Sequence, residues 1–282
     1  MNLDGTGGKA NALHVAVASG GTLTLAAEEG RSITFYDPVT SNANNTGLTI
    51  SINNASTGTD TGRVVFDGSL YDSAVDRYSS VSGLTTVGNG SLVLNGSVIY
   101  GASSTVGGFT LNEWATLETD ETVNRIQAGA ISLYGTVDIA KGGILELESN
   151  AATRFYGTMT TGLGMDSFGS MDVTGNLTFY RDSVLSLTWD DDLGSLYDGW
   201  SKEYSFFDVS GNITGLANLT IDMSVFDALE DYFSYDWNRD NAAGILTLTL
   251  SYVGNNEVPE PATLAILGLG LAGLGWARRR RR

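Results

Sequence analysis

Cysteine is absent from the chain. That excludes a disulfide framework, a thiol nucleophile and a cysteine-based metal site, although a large enough core does without such staples. Histidine occurs once, at His14, and lysine three times. In "ALHVAV" Leu13, Val15 and Val17 share one strand face and His14 lies on the other, so it is expected to face solvent. With no second histidine, Ser-His-Asp catalysis would rest on this residue alone, and it is not expected. Positive charge is scarce: 15 basic residues face 32 acidic ones, a net charge of −17. Residues 258–282 carry five arginines and one glutamate, so the remainder holds 10 basic and 31 acidic residues, a charge of −21. A body so negative repels phosphate backbones and anionic lipid, and no nucleic-acid partner is expected. The opening "MNLDGTGGKANALHVAVASG" also lacks the basic start and apolar run of a secretory signal.

What is present is glycine, at 36 residues, nearly twice the usual share, set among Ser, Thr and Asn between short β-branched and aromatic runs. The apolar period across the body is two. "GLTISIN" aligns Leu48, Ile50 and Ile52, "ILELES" aligns Leu145 and Leu147, and "ILTLTLSY" aligns Leu246, Leu248 and Leu250. Such alternation bounded by turn residues marks half-buried strands. Only "SVFDALEDYF", from Ser224 to Phe233, suggests a short helix. The strands also resemble one another: "LVLNGSV", "SLYGTV", "RFYGTM", "DVTGNL" and "DVSGNI" carry Gly96, Gly135, Gly157, Gly175 and Gly211, separated by 39, 22, 18 and 36 residues. Steps of one or two units of roughly 20 residues point to stacked repeats. The fold expected for residues 20–253 is therefore all-β, a right-handed parallel β-helix. Residues 1–19 form a ragged N-terminal segment. An antiparallel β-sandwich is the alternative. The expected core includes Leu94, Leu133, Phe155, Val173, Phe179 and Val209. In composition the body resembles the Gly/Thr/Asn-rich passenger segments of bacterial surface and autotransporter-like proteins, which implies β-helical surface architecture.

No motif assembles a catalytic centre, and the chain is expected not to be an enzyme. "WDDD" (Asp190, Asp191, Asp192), with Asp198 nearby, has the acid density of a carbohydrate-active β-helix enzyme. No motif joins it to Arg125, Lys141, Arg154 or Arg181, and the three aspartates are expected to be solvated. No cofactor is expected. The nearest approach to a Ca²⁺ site is "DWNRDN", where Asp236, Asn238 and Asp240 imitate the start of an EF-hand loop. Asn241 and Thr247 then replace the glycine and the glutamate that such a loop needs, leaving a polar turn as the default. The triplets at Asn54 and Asn95 suit turns better than glycans. Thr22/Thr24 and Thr247/Thr249 suggest threonine ladders of an ice-binding face, but they are not expected to recur in every repeat.

The end of the chain reads differently. Residues 254–261 form a linker in which Pro259 and Pro261 block helix and sheet pairing and hold Glu260 in an extended stretch after Val258. Residues 262–277 form an uncharged segment that, as a helix, is somewhat shorter than a hydrocarbon core of about 30 Å. Trp276 suits the headgroup region, and Arg278, Arg279, Arg280, Arg281 and Arg282 hold their side in the cytoplasm. A C-terminal transmembrane helix follows. The Pro-Glu-Pro element, apolar segment and arginine cluster resemble the PEP-CTERM sorting signal of Gram-negative bacteria. The resemblance implies recognition by a membrane-embedded exosortase, passage through the inner membrane, and delivery to the envelope, cell surface or extracellular matrix, with exopolysaccharide as a further associate. Members of that family carry an N-terminal secretion signal, so a segment upstream of Met1 is expected. The function expected is a structural or adhesin-like envelope protein; the alternatives are a carbohydrate-active β-helix enzyme and an ice- or glycan-binding surface protein.

Overall fold

A computed structural model describes residues 2–3, 13–15, 22–36, 39–41, 49–53, 62–67, 85–96, 98–100, 108–227, 229–240 and 244–253. The expectations for the linker, the transmembrane segment, the arginine cluster and Asn54 lie outside these residues. Among the described residues no helix is long and apolar enough to cross a membrane.

The described chain is all-β, and its strands fall into sheets by rotation. From Thr85 the chain passes through Thr85–Val87 in sheet III, Gly90–Leu94 in sheet I and Val98–Tyr100 in sheet II. It then returns to sheet III at Gly108–Leu111. Each later circuit repeats the order, as in Ala130–Leu133, Thr136–Ile139 and Ile144–Ser149. Sheet I holds nine strands, sheet II five and sheet III eight. Among the described residues the strands of these three sheets pair in parallel, each bonding to the one a circuit later. Parallel pairing in these three sheets is not the pairing of an antiparallel sandwich.

Register makes the core. Period-two alternation sends every second residue inward, and parallel pairing stacks those residues in columns. Leu92, Leu117, Val137, Met159 and Leu185 form one column. Leu111, Leu133, Phe155 and Phe179 form another, and Ile126, Leu147 and Val173 a third. All are buried. Of the six expected core residues only Val209, in the last circuit, is half-buried. Burial of such columns is the main stabilising term, at about 25 cal/mol per Å² of apolar surface.

The repeat length is less regular than expected. Thr116 pairs with Thr136, Thr136 with Thr158 and Thr158 with Val184, so circuits take 20, 22 and 26 residues. Val184 then pairs with Thr220, a circuit of 36. The five motif glycines also occupy three different corners. Gly96 follows sheet I, Gly175 and Gly211 follow sheet II, and Gly135 and Gly157 follow sheet III. Only the steps of 22 and 36 residues, Gly135 to Gly157 and Gly175 to Gly211, are therefore true circuits. Glycine serves at corners of all three kinds, which made one motif out of three.

The C-terminal end breaks the pattern. Ser201–Ser205, Ile245–Tyr252 and Phe233–Asp240 form an antiparallel sheet with Ile245–Tyr252 in the middle. The expected helix is one turn, Ser224–Asp227, carrying the buried Phe226. Rings fill this end: Trp189 lies 4.8 Å from Phe233 and 5.8 Å from Trp200 between centroids. Tyr204 packs edge-on against Phe168 at 5.3 Å and donates its hydroxyl to the Gly164 carbonyl at 2.9 Å. Burial, followed by the charges of Asp191 and Asp166, raises the Tyr204 phenol and keeps it neutral.

Candidate functional site

A concavity lies on the corner between sheets III and I. It follows from unequal corner lengths. Three residues, 112–114, join Leu111 to Ala115, whereas only Tyr134–Gly135 and Tyr156–Gly157 turn the next two corners; residues 180–183 turn the one after. The two short corners are recessed between longer ones. A Cβ on Gly135 would lie 2.1 Å from the Ala115 carbonyl, and one on Gly157 would lie 1.9 Å from that of Gly135. Only a residue without a Cβ lets neighbouring circuits come so close at these two corners. The result is an open groove of about 860 Å³ with Tyr134, Gly135, Tyr156 and Gly157 on its floor. Glu113 and Trp114 stand on one side, Arg181 and Asp182 on the other.

The tyrosines form a ladder. Tyr134, Tyr156 and Tyr180 each directly follow the last residue of a sheet III strand and donate their backbone N–H to the previous circuit, at 2.8, 2.8 and 2.9 Å. Equal register puts their rings face to face, with centroids 4.5 and 4.1 Å apart and planes within 15°. Such pairs contribute about 0.5–1.5 kcal/mol each beyond their burial. Burial first, then the neighbouring Tyr180 hydroxyl, pushes the Tyr156 phenol up to about 12, so it remains a neutral donor at physiological pH. Trp114 is 77 % exposed.

Acids line the outer faces in register. On sheet II the column runs Arg125, Glu146, Asp172, Asp208, with Arg125 bonded to Glu146 at 2.5 Å and lying 3.5 Å from Glu148. Burial, followed by repulsion from Asp208 and Glu146, raises the Asp172 carboxyl. On sheet I Glu118 stands beside Asp138 and pairs with Arg63 at 2.7 Å. Asp138 is raised by burial and then by Glu118 and Asp190. Asp120 shows the opposite balance. Burial pushes its carboxyl up, but hydrogen bonds from Thr122, Asn124 and Gly96 prevail and lower it.

The sequence-derived candidates divide. Asp236, Asn238 and Asp240 lie within the strand Phe233–Asp240, not in a turn. Alternate strand residues are about 6.6 Å apart along an extended backbone, which cannot wrap a cation as a loop does. Among the described residues no group of three or more His, Asp or Glu is placed to hold a metal ion. The expectation that Asp190, Asp191 and Asp192 are all solvated is corrected at Asp191. It is half-buried, ion-paired with Lys141, and accepts from the Met165 N–H at 2.6 Å. The Lys141 bond, then that of Met165, lowers its carboxyl. Asp192 caps a turn through the Gly194 N–H at 3.0 Å, and Asp190 is exposed. Pairing came from a lysine 50 residues away, for which the sequence offers no motif. His14 lies in a short strand opposite Thr40.

Threonines, as expected, do not recur in every circuit. Thr110, Ser132, Arg154, Thr178 and Thr214 share one outward column of sheet III, interrupted by Arg154. Thr247 and Thr249 instead belong to the antiparallel end sheet. The tyrosine ladder escaped the sequence reading, although "LYG", "FYG" and "FYR" at Tyr134, Tyr156 and Tyr180 carry its signal.

Residues 257–282 match the family model of the PEP-CTERM protein-sorting motif. The match takes in Val258, Pro259, Glu260, Pro261, Trp276 and the five arginines, all outside the described residues. It defines an exported, membrane-processed class of protein bearing a C-terminal sorting signal. Within that class, the C-terminal segment of this chain carries a sorting signal of the type that a processing enzyme recognises. No curated protein and no solved structure matches the chain.

Proposed function

We propose that the chain is a non-enzymatic structural or adhesin-like protein of the cell envelope or extracellular matrix. Its body is a right-handed parallel β-helix, and its tail is both a transient membrane anchor and a processing signal. The observation that carries this reading is the sorting-motif match at residues 257–282. The three-sheet rotation supports the β-helix, because each circuit is too small to bury its own core and stacking supplies one. In this reading residues 262–277 span the inner membrane while Arg278–Arg282, costly to move through lipid, stay cytoplasmic. Glu260, the only charge between the two prolines, is read by the processing enzyme. The in-register acids and the Lys141–Asp191 pair act as surface and bracing groups, not as a reaction centre.

The test is fractionation of cells that express an epitope-tagged body behind a functional export signal, with and without exosortase. Glu260→Ala leaves insertion unchanged and blocks release of the body. Deleting Arg278–Arg282 weakens retention. Release of Glu260→Ala as efficient as that of the parent reduces the motif to a linker. Cleavage of a neutral or acidic polysaccharide by the purified chain, lost on joint replacement of Asp190, Asp191 and Asp192 by Asn, overturns the non-enzymatic reading.

A further inference from the structure

We propose that the groove between the Trp114 and Arg181 corners binds a neutral polysaccharide chain. This goes beyond the proposed function and is independent of it, since binding would occur whether or not the tail is processed.

The first argument is shape. Neighbouring strands stand about 4.8 Å apart, so three steps from the Trp114 corner to the Arg181 corner give a trough of about 14 Å. It is open at the surface and so suits a segment of a long chain better than an enclosed small molecule. Its floor is rigid: the stacked tyrosines lock one another, and the glycines admit no side chain. A preformed floor lowers the ordering cost of binding.

Chemistry narrows the occupant. Trp114 presents an indole that is 77 % exposed, a large apolar surface for which the fold has no use. The C–H faces of a pyranose ring fit such a surface while its hydroxyls point sideways. Around the floor stand one fixed donor, Arg181, two acceptors, Glu113 and Asp182, and Asn112, which is both. Mixed donors and acceptors close together match hydroxyl groups, which both give and accept. The three charges sum to −1 within a strongly acidic body, which disfavours an anionic chain.

A peptide fits less well. Addition of a strand needs free backbone donors, but the N–H groups of Tyr134, Tyr156, Gly157 and Tyr180 are already bonded to earlier circuits. Recognition must therefore go through side chains.

The experiment uses the full chain in a non-glycosidic detergent, titrated separately with cellohexaose, laminarihexaose, xylohexaose and hexagalacturonate. Calorimetry and tryptophan fluorescence are the readouts. We expect at least one neutral hexasaccharide to bind and to change the fluorescence. Trp114→Ala, whose fold is checked by circular dichroism, should weaken that binding about tenfold or more and remove the fluorescence change. Arg181→Gln should weaken it several-fold. Tyr235→Ala, at an exposed ring on the antiparallel end sheet, should leave it unchanged. Absence of binding by all three neutral sugars at millimolar concentration overturns the proposal, as does binding of hexagalacturonate alone. Binding that survives Trp114→Ala intact also overturns it.

Discussion

The middle circuits and the C-terminal end of this protein solve the same problem with opposite materials. Between Ala115 and Trp189 the chain turns every 20 to 26 residues, pairs in parallel and fills its centre with mainly aliphatic columns, Phe155 and Phe179 apart. Beyond Trp189 the circuit lengthens to 36 residues, an antiparallel sheet is added to the parallel ones and the fill becomes aromatic. A middle circuit always has a neighbour above and below to cover its apolar face and satisfy its strands. The last circuit has none on one side, and an open parallel edge invites pairing with other chains. Large rings close the end because a few of them cover a cross-section that would take many aliphatic residues. Repetition builds the stack; only a departure from it ends the stack.

The comparison breaks most severely at Leu133, between Leu111 and Phe155. Leu133→Asp puts a charge into a column with no partner and should cost about 4 kcal/mol or more. The expected outcome is loss of cooperative thermal melting by circular dichroism; an unchanged melting temperature would contradict the register. Phe233→Ala should cost about 3–4 kcal/mol through the cavity left beside Trp189. Here hydrogen exchange is the sharper readout. Protection should fall across Phe233–Asp240 and Ile245–Tyr252 first, and least in Thr136–Ile139, if the two regions open separately. Gly157→Ala forces a carbonyl aside and should cost about 1–3 kcal/mol. It acts on the stack alone, so cap protection should persist.

The smallest effect is electrostatic. Asp172 has its carboxyl raised in the folded state, so its charged form disfavours folding at neutral pH. Asp172→Asn should raise the melting temperature at pH 7 by about 1–2 °C, a modest figure because the side chain is partly solvated. The gain should be complete above the raised folded value and vanish as pH falls below the unfolded value of about 3.9. A fall in melting temperature at pH 7 would show that Asp172 is held by a favourable contact.

Strand faces were legible because period two is local: "ILELES" places Leu145 and Leu147 inside with no knowledge of neighbours, and they are buried. The identity of corners was not, because glycine serves all three corners alike and Gly96, Gly135 and Gly175 look the same in sequence. The groove lay between these extremes. Its tyrosines recur visibly, but their stacking depends on register, and register depends on how many residues each intervening corner consumes. The Lys141–Asp191 pair depends on register across two circuits of one sheet. The sorting motif was legible because its signal lies in composition and order, with no tertiary fold required.

The placement of Ile245–Tyr252 has a mechanical consequence. It is the central strand of its sheet, bonded along both sides. The chain leaves it toward the tail with the Tyr252 N–H on the Trp200 carbonyl at 2.9 Å and the Val253 N–H on that of Tyr232 at 3.0 Å. Tension applied through the tail therefore runs along the strand and loads both ladders together in shear, so that many bonds must yield at once. An outer strand pulled sideways would instead unzip one bond at a time. Whatever grips the tail pulls on the part of the body best arranged to resist.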